Sequence, residues 1–267
     1  DRVLIAEGDT EKHVLPSLFQ SITNKTIGES KLALVIATGS PNIPGMLQIL
    51  NEMNIPAKAL VDLDFAFTEA KKAKLIDKDH PALDKCLDII AGLQPAHGFQ
   101  LNGRMPTRGN GFKAPDVYEI LAAEDDASEY IEQLQSHFKD QSIWLWRLGA
   151  IEPHLCMESK NTGEWYKFKE KLTKQPANQV VSDFKTIESF IHWAINTESK
   201  NDNAAVEKDI SGKRYFFTVR GEDAPFQGLA THIDNGIKNI TYGAIKNDKN
   251  TAIKDTIELI QRIHGNS

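Results

Sequence analysis

Five acidic residues in this sequence have the types and spacing of a divalent-metal site. Glu7 follows the apolar run Val3-Leu4-Ile5-Ala6, and Glu11 comes one helical turn later in "AEGDTE". Asp62 and Asp64 stand at i and i+2 in "LVDLDFAF", so an extended chain directs both to one side. Glu152 closes "LWRLGAIE", just past a glycine. Carboxylates gathered in one place repel each other and are costly to desolvate. A divalent cation relieves both penalties. Oxygen donors suit Mg²⁺ or Mn²⁺, which keep water and bind phosphate oxygens. Such a set suffices for two ions about 4 Å apart, the arrangement used for in-line displacement at phosphorus. A single Asp-x-Asp at a strand end is common in Rossmann-like folds of many functions, and a lone Glu there is more often a cap or an ion-pair partner. The conjunction of acidic strand ends is what points to metal. Asp9 reads as the N-cap of the helix that follows.

The elements that must position these acids are short, apolar, β-branched runs at residues 3–6, 32–37, 57–62 and 142–147. Helix-like stretches at 13–22 and 43–54 separate the first three. Strand, helix, strand, helix, strand signals an α/β parallel sheet with crossover helices, in which ligands gather beyond the carboxyl ends of the strands. Residues 68–140 read as a helical insertion, with apolar i, i+3, i+4 spacing in "HPALDKCLDIIAGL" and "PDVYEILAAEDDASEYIEQLQSHF". Between those segments "QLNGRMPTRGNGFKAP" forms a Gly-rich loop. There Arg104, Arg108 and Lys113 either track phosphates or belong to a plain solvated insertion. Ser40, in "TGS" after the second strand, either holds a phosphate or caps the next helix. His154 could hydrogen-bond a ligand, and Trp144 and Trp146 are expected on the two faces of the fourth strand. The organisation expected is a domain at 1–155, with its insertion at 68–140, and a mainly helical extension at 156–267. Helices near 165–172, 184–196 and 251–263, one strand "KRYFFTV" and a polar loop "NTESKNDN" make up that extension.

The chain has 267 residues and a net charge of -6, which argues against indiscriminate binding to a polyanion and leaves room for a local basic groove. Two distant cysteines, Cys86 and Cys156, make neither a disulfide framework nor a zinc signature, so a reducing, cytoplasmic setting is the default. No apolar run approaches the roughly 18 residues of a membrane span. The start at Asp1, directly before a buried strand, suggests a fragment of a longer chain.

"LIAEG" followed by "VDLDFAF" resembles the TOPRIM fold, whose pattern is a glutamate after the first strand and an Asp-x-Asp after the third. "EGDTE", "TGS" and "LGAIE" narrow the resemblance to the OLD (overcoming lysogenization defect) family of ATPase-TOPRIM nucleases in bacterial and phage defence. The resemblance covers residues 1–155. It implies a TOPRIM, Rossmann-like sheet and hydrolysis of DNA phosphodiesters, by nicking or cleavage, with two Mg²⁺ or Mn²⁺ ions. The ligands it implies are Glu7, Glu11, Asp62, Asp64 and Glu152. It also implies a catalytic lysine downstream of the last glutamate, best matched by Lys174 in "KFKEKLTKQPAN". No ATP-binding G-x-x-x-x-G-K-[ST] loop is present, so an OLD protein would carry its ATPase domain upstream. A homo-oligomer is compatible with all of this. The competing readings are a nucleic-acid-binding or regulatory TOPRIM module inactive without its partner domain, a primase or topoisomerase subunit, and a glycosyltransferase using Asp-x-Asp. No zinc-ribbon cysteines and no marked tyrosine favour the second, and the third leaves Glu7, Glu11 and Glu152 unexplained.

Overall fold

The computed structural model describes residues 2–195, 206–220, 225–234, 237–247 and 249–265. The loop expected at 196–203 lies outside them. The chain divides into two compact units, Asp1–Ile195 and Asn196–Ser267.

The first unit runs β1 (Arg2–Ala6), α1 (Asp9–Thr23), β2 (Leu32–Ile36), a 3-10 turn (Ser40–Asn42), α2 (Ile43–Glu52), β3 (Ala57–Val61), α3 (Asp64–Phe67) and α4 (Glu69–Lys72). Then come α5 (Pro81–His97), a hairpin of β4 (Gln100–Asn102) and β5 (Met105–Thr107), α6 (Ala114–Ala122) and α7 (Asp125–Lys139). It closes with β6 (Ile143–Leu145), α8 (Ile151–His154), α9 (Thr162–Lys174), α10 (Ala177–Val180) and α11 (Phe184–Ile195). The strands form one parallel sheet in the order β2-β1-β3-β6, as the alternation of runs and helices foretells. β3 is buried along its whole length because helices cover both faces.

The insertion between β3 and β6 is helical, with one addition. The Gly-rich segment between α5 and α6 is an ordered antiparallel hairpin. α5 has the expected ends: Pro81 in the first turn, the His80 imidazole accepting the Ala82 N–H at 3.2 Å, and Gly98 at φ 75 past the last turn.

Two expectations about residues 156–267 change. Helices α9 and α11 do not extend from the sheet domain. They cover it, with Trp165, Phe168, Ile187, Phe190 and Ile191 in one core with Leu4, Leu60, Trp144 and Trp146. Trp144 and Trp146 therefore share a face, each ring against Phe190, at 5.5 and 5.0 Å between centroids. A period of two demands this.

The second unit is mostly strand, not helix. It holds β7 (Val206–Ile210), β8 (Lys213–Arg220), β9 (Phe226–Asp234), β10 (Ile237–Lys246) and α12 (Lys249–Gly265), with the strands antiparallel in the order β10-β9-β8-β7. α12 lies against β8, β9 and β10. Gly228 and Gly243 let it approach, since a Cβ at either would collide with Thr256.

Candidate metal centre

Glu7 stands one residue past β1, Asp62 one past β3, and Glu152 in the short turn of helix that follows β6. Main-chain bonds tie these strand ends together. Gly39 N–H donates to Glu7 O at 3.0 Å, Trp146 N–H to Val61 O at 3.0 Å, and Leu63 N–H to Gly149 O at 2.7 Å. The last bond joins the Asp62–Asp64 turn directly to the turn that carries Glu152. Leu63 is in the right-handed helical region (φ -61, ψ -32) and Asp64 opens α3. Asp62 and Asp64 are thus not alternate residues of a strand; a helical turn delivers the second one.

The N-terminal acids also sort differently from expectation. Gly8, not Asp9, caps α1, and its N–H donates to the Glu11 carboxylate at 3.2 Å. Asp9 is exposed in the first turn, where a negative charge complements the helix dipole. Glu11 is buried and belongs to the cluster.

Burial dominates the electrostatics. It pushes the carboxyl of Glu7 up, helped by the charge of Asp64, with Lys160 and the Asp62 and Ser40 main chains pulling the other way. It pushes Glu11 up to about 7, assisted by Glu152 and Glu7. Asp62 is raised well above the usual carboxylate range by burial, against the pull of Lys160. Asp64 is raised too, again chiefly by burial. Lys160 is the countercharge, with Nζ 2.9 Å from Asp62 Oδ2 and 3.5 Å from Glu152 Oε2. Burial works against its charge, and Asp62 and Glu152 outweigh that and hold the ammonium protonated.

Four oxygens, Glu7 Oε2, Asp62 Oδ1, Asp64 Oδ1 and Glu152 Oε2, are buried without a hydrogen-bond partner among the described residues. A cleft of about 340 Å³ opens onto the cluster, lined by the Glu7–Glu11 turn, Ile36, Thr38, Gly39, Asp62 and Lys160. Buried carboxylate oxygens without a hydrogen bond are costly, and they are the donor type that hard divalent cations take. The donor chemistry fits Mg²⁺ or Mn²⁺. The spacing is looser: no three His, Cys, Asp or Glu side chains among the described residues are set to hold an ion as they stand. The Lys160 ammonium lies against two of the acids, so seating an ion requires side chains to turn.

The other residues singled out in the sequence fare unequally. Lys174 ends α9, and its Nζ bonds Glu170 Oε1 at 2.6 Å on an exposed face. The lysine at the cluster is Lys160, in the loop before α9. Its signal was its place: a cation directly ahead of Asn161, the N-cap whose side chain accepts the Glu164 N–H. Ser40 makes no side-chain cap; Gly39 precedes the 3-10 turn, and the Ser40 main chain faces Glu7. Arg104 is engaged by Asp84 at 3.0 Å and Asp88 at 2.7 Å, which sit one turn apart on α5 and compete with any phosphate. Arg108 and Lys113 are exposed. His154 is fully buried, with Nδ1 3.0 Å from Asp183 and Nε2 accepting the Leu148 N–H at 3.4 Å; burial lowers its pKa to about 4. It braces the turn instead of facing the cleft. Glu119 of α6, unremarked in the sequence, lies against Gly149, where a Cβ would stand 2.6 Å from Glu119 Cγ and 3.0 Å from its Cα.

Residues 1–64 match the family model described as "Overcoming lysogenization defect protein-like, TOPRIM domain". Over 202 residues, 72% of this chain, the sequence is 25% identical to the Old nuclease of Escherichia phage P2. The chain spans about a third of that relative's length (33%). Among solved structures, the C-terminal region of the Burkholderia pseudomallei OLD protein is similar at 13% identity and a TM-score of 0.31, over 73% of this chain and 98% of that one. The C-terminal region of the Xanthomonas campestris pv. campestris OLD protein is similar at 16% and 0.28, over 72% and 78%. Scores this low establish no common architecture by themselves. The parallel sheet, its acidic strand ends and the match over residues 1–64 agree: the N-terminal part of this chain is an OLD-like TOPRIM domain.

Proposed function

We propose that this chain is a metal-dependent DNA endonuclease, hydrolysing phosphodiester bonds as the nuclease part of an ATPase-TOPRIM defence protein. The observation that carries the reading is the set of four buried carboxylate oxygens at the strand ends that accept no hydrogen bond among the described residues, with Glu7 and Asp62 lining one cleft beside Glu11 and Lys160. Glu7, Glu11 and Glu152 would hold one divalent ion, and Asp62 and Asp64 the other. The ions supply activation of a water and stabilisation of the leaving oxygen. The protein's own part is to fix these donors through the hydrogen-bonded strand ends and to exclude bulk water from their buried faces. Lys160, half-exposed at the cleft, is placed to exchange its contacts with Asp62 and Glu152 for a phosphate oxygen and to offset developing charge there. Arg108 and Lys113 remain candidates for contacts to the nucleic-acid backbone.

A supercoiled plasmid assay in EDTA, Mg²⁺, Mn²⁺ and Ca²⁺, with Asp62→Ala and Glu152→Ala beside the wild type, tests this. Metal-dependent nicking or linearisation is expected, and each substitution should reduce it at least ~10³-fold. Equal cleavage by Asp62→Ala would sink the reading. Intact plasmid from a folded chain that binds Mn²⁺ would favour the regulatory module.

A further inference from the structure

Glu152 is buried, and what holds its Oε1 comes from two other elements. Thr10 Oγ1, on the first turn of α1, lies 2.6 Å from Glu152 Oε1. The Trp165 indole nitrogen, on α9, lies 3.3 Å from the same Thr10 oxygen. Thr10 and Glu152 are 4% exposed and Trp165 9%, so water does not compete strongly at these atoms. An indole N–H can only donate, and a hydroxyl has one proton to give. Trp165 takes one lone pair of Thr10. Glu152 Oε1 is the only acceptor within reach of that hydroxyl among the described residues. The proton direction is therefore set as Trp165 to Thr10 to Glu152. The short O···O distance belongs to a hydroxyl donating to a carboxylate. His13 stacks on the Trp165 ring at 4.5 Å and 17°, which fixes the plane of the indole.

We propose that Thr10 and Trp165 are positioning residues. They hold Glu152 Oε1 as a hydrogen-bond acceptor and so turn Oε2 toward Lys160, at the edge of the cleft, where a divalent cation would bind. This deepens the nuclease reading and rests on it. It also gives α9 a task that its position after the acidic motifs does not suggest. Hydrogen-bond partners behind a metal ligand commonly govern 10–100-fold in metal affinity.

Three variants of the full chain separate the possibilities: Thr10→Val, which keeps the shape and removes the hydroxyl, Thr10→Ser, which restores it, and Trp165→Phe, which keeps a ring and removes the N–H. Mn²⁺ binding is read by calorimetry, plasmid cleavage at saturating Mn²⁺ by gel, and folding by thermal melting in EDTA. Thr10→Val should weaken Mn²⁺ binding ~10-fold or more. Thr10→Ser should return to within about twofold of wild type, and Trp165→Phe should fall between. If Thr10→Val fails to fold, weakened Mn²⁺ binding by folded Trp165→Phe, with Thr10→Ser near wild type, supports the pair. Wild-type affinity and cleavage in Thr10→Val, or in Trp165→Phe where Thr10→Val does not fold, overturn it. So does Thr10→Ser as impaired as Thr10→Val. Wild-type protein that takes up no Mn²⁺ overturns the metal reading itself, a result distinct from an unaffected variant beside an active wild type.

Discussion

The two faces of the parallel sheet are built alike and used differently. Ile5, Ala59, Val61, Ile143 and Leu145 point to one side and meet the insertion, with Leu83, Leu87, Leu134 and Phe138 among the contacts. Leu4, Ala6, Leu60, Trp144 and Trp146 point to the other and meet Leu15, Phe19, Phe168, Phe190 and Ile191 from α1, α9 and α11. Toward the acidic cluster the insertion sends Glu119, set against Gly149, and Glu69 and Tyr118, which lie near enough to Asp64 to feel its charge. The opposite layer and the loop leading into it send Thr10, Trp165 and Lys160. One face reaches the acids through backbone fit and charge. The other reaches them through hydrogen bonds and an ion pair, and part of it is the last of this unit to be written in the chain.

Truncation breaks the comparison most severely. A chain ending at Leu155 exposes the face bearing Trp144 and Trp146 and should not fold. One ending at Ile195, the close of the first unit, should give cooperative melting and native near-ultraviolet dichroism. A folded 1–155 fragment would show that the second layer is dispensable.

Phenylalanine deletions on opposite faces come next. Phe190→Ala and Phe138→Ala should each cost about 3–5 kcal/mol in urea unfolding. Only Phe190→Ala should also weaken Mn²⁺ binding, because Phe190 backs Trp146 and the β6 turn. Equal effects on the metal would mean that both faces shape the site.

The lysines sharpen the contrast within one face. Lys160→Ala should reduce cleavage ~10²-fold, whereas Lys174→Ala, whose partner is the exposed Glu170, should leave it unchanged.

The smallest effect is on the pH dependence of stability. The Glu11 carboxyl stands at about 7 in the folded protein, against 4.5 ordinarily. Between those values the folded state keeps a proton that the unfolded chain releases. Stability in EDTA should therefore fall as pH rises from about 4.5 to 7, by a few kcal/mol at most. Glu7, Asp62 and Asp64 act in the same sense. Urea titrations across that range check the slope, and saturating Mn²⁺ should flatten it.

The sheet and the insertion were legible because their residues repeat with the period of their structure: β-branched runs for strands, i, i+3, i+4 for α5 through α7. Glu7, Asp62 and Glu152 were legible because each follows such a run, with Glu11 and Asp64 close behind in the chain. Lys160 and Trp165 were not. Their roles depend on where α9 docks, and its apolar spacing says only that one face is buried. Lys174 drew attention as a helix-end lysine, yet the end of a helix already suits a cation. The second unit misled for another reason. Gly228 and Gly243 interrupt the alternation of β9 and β10, and they serve a helix that comes later in the chain.

Gly149 constrains how this architecture can be recombined. Its φ of +96 and the Glu119 backbone against it leave no room for a side chain, so α6 and the β6–α8 turn are fitted to each other as lock and gauge. A chimera that borrows its insertion from another chain must import the fit as well, or the turn shifts and carries Glu152 with it. Crossovers within 114–152 should yield folded proteins with displaced acids, and the productive exchange points lie outside that stretch.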